Sequence, residues 1–144
     1  MKHQNLQTRT KQFALQVIQF CQNLSHDEIS RILGKQLLRA GCSVGANYRA
    51  ACRAKSKTDF ISKMGTVLEE ADESAYWIEL LSEAAKVQPD SYAPLLNEAN
   101  ELVAISISAI NTARRNLENE PEHSALRTSM DREAFCTLHS AFCI

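Results

Sequence analysis

Residues 36–60 read QLLRAGCSVGANYRAACRAKSKTDF, and two stripes run through them at once. Traced back to Ile29 on a helix, the residues Ile29, Leu33, Leu37, Ala40, Val44, Tyr48 and Ala51 recur at spacings of three or four. Such spacing places them on one apolar face. Arg31, Lys35, Arg39, Arg49 and Arg53 gather on the opposite side, within an arc of roughly 80° at one residue per 100°. No acidic residue interrupts them. The stretch therefore predicts an amphipathic helix with a core on one side and a cationic surface on the other.

The flanks extend the helical pattern. Leu6, Phe13, Val17, Phe20 and Leu24 mark the face of a first helix over residues 6–24, and Ser25-His-Asp-Glu28 has the form of a capping box opening the second, which runs to residue 54. Gly34, Gly41 and Gly45 lie inside that helix, where each costs about 0.8–1 kcal/mol relative to alanine. Close approach of a neighbouring helix to Gly41 and Gly45 is the expected reason. Ser56-Lys-Thr-Asp59 repeats the cap pattern and starts a third helix at Lys57, with Phe60, Met64, Val67, Leu68, Ala71, Ala75, Ile78 and Ala85 inward. Lys86-Val-Gln-Pro-Asp-Ser91 is expected to form the break, since Pro89 cannot continue a helix. A fourth helix follows from residue 91 or 94 to 117, burying Leu95, Ala99, Leu102, Val103, Ser106, Ile110, Ala113 and Leu117. Four long helices joined by short turns predict an all-α, up-down-up-down antiparallel four-helix bundle over residues 1–117. Residues 118–144, with a proline and no sustained period, read as a mobile or partly helical tail.

Composition agrees with one helical domain. The 144 residues contain 44% hydrophobic residues, 4 glycines and 3 prolines, enough chain for a core without metal or disulfides. Neither a membrane span nor a signal peptide is legible, so a cytoplasmic protein is expected. Five cysteines without a C-x-x-C pair suggest neither a disulfide framework nor a zinc site, and the four histidines are scattered. No metal, cofactor or catalytic constellation is expected.

The net charge of -1 conceals a segregation. From Arg31 to Lys63 eight basic residues face Asp59 alone, a net +7, whereas from Met64 to Glu101 nine acids face Lys86 alone, a net -8. Arg31, Lys35, Arg39, Arg49, Arg53, Lys55 and Lys57 are therefore the candidate nucleic-acid-binding residues, since a cationic face attracts phosphates irrespective of sequence. The competing reading pairs this face with the acidic side of helix three in a neighbouring subunit, making the protein an assembly scaffold. Tyr76, Trp77 and Leu80 lie outside the core stripe of helix three and are the candidate oligomer interface.

Three runs carry a family resemblance: QLLRAGCSVGANYRA at 36–50, KSKTDF at 55–60 and EEADESAYWIELL at 69–81. Together they closely resemble the four-helix-bundle proteins encoded in intervening sequences of bacterial 23S ribosomal RNA genes, over about Arg9 to Leu117. The resemblance implies a bacterial homopentamer with a central channel and no established enzymatic activity. More distantly, the chain resembles the accessory variability protein of diversity-generating retroelements, which implies nucleic acid and a nucleic-acid-processing protein as partners. After Asn116 the resemblance ends.

Overall fold

Three side chains open the first three helices of the structure, a computed structural model that describes residues 5–119. Asn5 accepts the Gln7 amide at 2.8 Å and caps α1 (Leu6–Gln22). Asp27 caps α2 (Glu28–Ala51), accepting the Ser30 amide at 2.9 Å and the Ser30 hydroxyl at 2.7 Å. The cap thus falls at Asp27, where the Ser25-x-x-Glu28 pattern predicts Ser25. Ser25 instead donates its hydroxyl to Asp27, because an ionised carboxylate is the stronger acceptor at a helix start. Those hydrogen bonds, from Ser25 first and then Ser30, hold the Asp27 carboxyl well below the usual carboxylate range. Ser56 accepts the Asp59 amide at 3.1 Å and opens α3 (Lys57–Ala84) where the motif predicts.

The chain breaks between α3 and Pro89, as expected, but Pro89 itself is helical. It occupies the first turn of α4 (Pro89–Glu118), where its missing N–H is one no helix would use and its fixed φ suits the start. The helix continues through Pro94. The reversal before it is made by Lys86, which takes a left-handed φ of 49°, and by Val87 and Gln88. α1 and α2 end at Gln22 and Ala51, short of the expected residues 24 and 54. The tail beyond residue 119 lies outside the described residues.

Neighbouring helices are antiparallel. The positions at which a side chain on α2 would meet its neighbour run in opposite order, Gly34 against Leu24, Gly41 against Val17 and Gly45 against Thr10. Each helix packs on the next in the chain, and α1 meets α4 less extensively, which closes an up-down-up-down bundle. Phe13, Val17, Leu37, Val44, Met64, Ile78 and Leu81 are completely buried between the helices.

Ile29 departs from the predicted face and is 57% exposed. At this end of α2 the inward positions belong to Ser30, tied to the cap, and Gly34, against Leu24. The apolar face begins properly at Leu37. Gly41 and Gly45 have the expected neighbour in α1. Gly65, in the middle of α3, does not: a β-carbon there would meet nothing within 4 Å. Gly65→Ala is therefore expected to stabilise the chain by about 0.8–1 kcal/mol, read as a higher melting temperature. A lower one would show that the missing side chain is required by a contact outside the chain.

Candidate nucleic-acid interface

The outer side of α2 carries Arg31, Lys35, Arg39 and Arg49, and Arg53 follows in the turn after it, all exposed, because the opposite side of the helix is committed to the core. Lys55 continues the basic run as an exposed residue in the turn, and Lys57 is partly buried at the start of α3. The backbone amide of Lys55 donates to Asp59 at 2.9 Å, and the Lys63 ammonium pairs with the same carboxylate. Lys63 first, then Lys55, holds the Asp59 carboxyl below its ordinary range.

Arg39 differs from the other members. Its guanidinium pairs with Glu73 and, at 3.4 Å, with Glu70, both on α3 of the same chain. Glu73 also accepts the Trp77 indole N–H at 2.9 Å. Arg39 first, and Trp77 second, draws the Glu73 carboxyl below its usual range. Among the described residues, Arg31, Lys35, Arg49 and Arg53 make no ion pair. The stripe is thus divided into an upper pair and a lower group. About 21 Å of helix separates Lys35 from Arg49, and the stripe positions between carry Arg39, Cys42 and Ala46.

The aromatic residues sit on a different surface. Tyr76 is 54% exposed, whereas Trp77 and Leu80 are half-buried. The Tyr76 and Trp77 rings meet edge to face, with centroids 4.9 Å apart at 65°. Around Tyr76, the exposed residues of α3 include Glu69, Asp72, Glu79 and Glu83. Phosphates are repelled from such a face, so these rings provide no stacking platform for the basic stripe.

Two long-range pairings were not legible in the chain. One is Arg39 with Glu70 and Glu73. The other clasps α1 to α4: Arg9 Nε and Nη2 donate to the two Glu98 carboxylate oxygens at 2.6 and 2.9 Å, and Nη2 also reaches Glu101. Such a bidentate fork is the strong form of the arginine–carboxylate pair. The segregation of +7 and -8 announced that opposite charges would meet, but not which. Asn47, at the edge of the core face, donates to the Ser43 carbonyl at 2.9 Å. Cys21 and Cys42 are free thiols, and burial pushes the Cys21 thiol up to about 11, far from a reactive thiolate. Among the described residues no group of His, Cys, Asp and Glu is arranged to hold a metal ion, and no helix is long and apolar enough to cross a membrane.

The family model of the 23S rRNA-intervening sequence proteins matches residues 2–108, which includes the whole basic face and the acidic face of α3. The chain belongs to that family. The chain is also similar to a solved structure from Bacteroides thetaiotaomicron, a protein of unknown function from the S23 ribosomal protein family. The identity is 34%, the alignment covers 72% of this chain and 96% of that one, and the TM-score is 0.67. No protein of curated function matches.

Proposed function

We propose that this 23S rRNA-intervening sequence protein is a non-enzymatic, cytoplasmic homo-oligomer that binds RNA or DNA through the outer face of α2, as an accessory factor to a nucleic-acid-processing protein. One observation supports the reading: Arg31, Lys35, Arg49 and Arg53 are exposed on one face with no carboxylate partner among the described residues. The surface suits phosphate backbones, which need point charges and no base readout. The pentameric state implied by the family resemblance would repeat this face around a ring and multiply its weak single contacts.

Binding of mixed-sequence RNA and DNA fragments, followed by fluorescence anisotropy across a salt series, tests the proposal. Log affinity should fall linearly with log salt, by about 0.7–0.9 per phosphate contact. Arg49→Glu with Arg53→Glu should remove most binding at low salt while leaving the circular dichroism unchanged, since both side chains are exposed. Wild-type protein that retains neither nucleic acid at low salt would overturn the proposal.

A second reading is favoured by the Arg39 pairing. The charges of α2 and α3 already match across the groove between them within one chain, and the remaining cations could match α3 of a neighbour. The protein would then be a scaffold with its basic face covered, and reversing Arg49 and Arg53 would dissociate it.

A further inference from the structure

The large apolar side chains left exposed among the described residues are Leu15, Ile29, Ile32, Leu38, Tyr76 and Ile107. Half of them lie on α2, and all of those precede Arg39. Ile32, 49% exposed, and Leu38, 37% exposed, interleave with Arg31 and Lys35. On the helix these four residues share an arc of about 120° on the outer side. From Arg39 to the end of α2 no large apolar residue is exposed, and the surface there is Ala46 and Arg49, followed by Arg53 and Lys55. The two halves of the basic face therefore differ in chemistry. One is apolar and cationic, the other cationic alone.

Phosphates derive no benefit from exposed Ile and Leu, whereas protein interfaces bury such residues and use charge at the rim for register. A matching surface exists on the same chain. The outer face of α3 combines Tyr76 and the half-buried Leu80 with Glu69, Asp72, Glu79 and Glu83, and so is apolar and anionic. α2 and α3 are adjacent corners of the bundle, so their outer faces diverge. A head-to-tail contact between two diverging faces turns at every copy, as a closed ring requires.

We infer that Arg31, Ile32, Lys35 and Leu38 form a docking surface for the outer face of α3 in a second copy of this chain, and that Arg49, Arg53 and Lys55 are the part of the stripe left to nucleic acid. The inference rests on the reading of the protein as a nucleic-acid-binding homo-oligomer and divides its basic face between the two tasks.

Light scattering on the full chain at micromolar concentration provides the test, with circular dichroism confirming the helices of each variant. Ile32→Ser, and separately Arg31→Glu with Lys35→Glu, should reduce the mass toward the 16.1 kDa of one chain. These side chains are exposed, so the bundle does not need them to fold. Adding Asp72→Lys and Glu79→Lys to the Arg31/Lys35 reversal should restore part of the assembly by exchanging the charges. Arg49→Glu with Arg53→Glu should keep the wild-type mass and lose nucleic acid. Retention of the wild-type mass by the Ile32 and Arg31/Lys35 variants, or dissociation of the Arg49/Arg53 variant, would overturn the division. A wild-type monomer would instead defeat the oligomeric reading on which it rests.

Discussion

Phe13→Ala should destabilise the bundle by about 3–5 kcal/mol, a drop in melting temperature on the order of 10 °C or more for a domain of this size. Phe13 is completely buried and sits with Val17 and Phe20 on the inner face of α1. This helix has 17 residues against 24 to 30 in the others, so it has the fewest anchors to lose. Its contact with α4 is limited and includes the Arg9 clasp to Glu98 and Glu101. That clasp cannot replace a lost aromatic side chain, because even a bidentate ion pair, when only partly buried, contributes less than a fully buried phenyl ring. Leu15→Ala provides the control. Leu15 is on the same helix but 47% exposed, and its truncation should change stability by no more than about 0.5 kcal/mol. Urea denaturation of both variants measures the difference. Equal midpoints would show that α1 is not packed through the face containing Phe13.

Gly41→Ala should behave opposite to Gly65→Ala, although both replace a glycine in the middle of a helix. A β-carbon at Gly41 would lie 2.7 Å from Val17 Cγ2 and 3.0 Å from Cγ1. Valine on a helix is held close to one rotamer, so the strain passes to the spacing of α1 and α2. Overpacking of this kind costs about 1–3 kcal/mol and outweighs the roughly 0.8–1 kcal/mol that alanine contributes through helix propensity. Removing the obstruction identifies the cause. Val17→Ala alone destabilises by leaving a cavity, but in the double variant the new methyl group at position 41 enters the space vacated. The double variant should therefore be more stable than the sum of the single changes predicts, with a coupling of about 0.5–3 kcal/mol in chemical denaturation. Additive effects would place the cost of Gly41→Ala somewhere other than Val17.

The candidate site was legible in its ingredients and not in its connections. Exposure of Arg31, Lys35, Arg49 and Arg53 follows from their position opposite Leu37, Val44 and Tyr48, which a helical wheel supplies. Capture of Arg39 by Glu70 and Glu73 does not, because the partners are 31 and 34 residues away and meet only once α2 and α3 are in register. The same applies to Trp77, whose indole is turned toward Glu73, leaving Tyr76 as the exposed member of the expected interface.

Helix existence, helix order and most of the core were determined by the chain itself, since they depend on spacings of three and four residues and on caps that act within one turn. Even there two boundaries moved: Asp27 displaced Ser25 as the cap because its carboxylate is the stronger acceptor, and Pro89 opened α4 two residues before the earliest expected start. Which cations remain available, and which glycines are required, were decided only by the tertiary structure. Gly41 and Gly65 occur in equally helical sequence. Val17 stands against one and open space against the other, because the distance between two packed helices is a property of the pair and is written in neither helix alone.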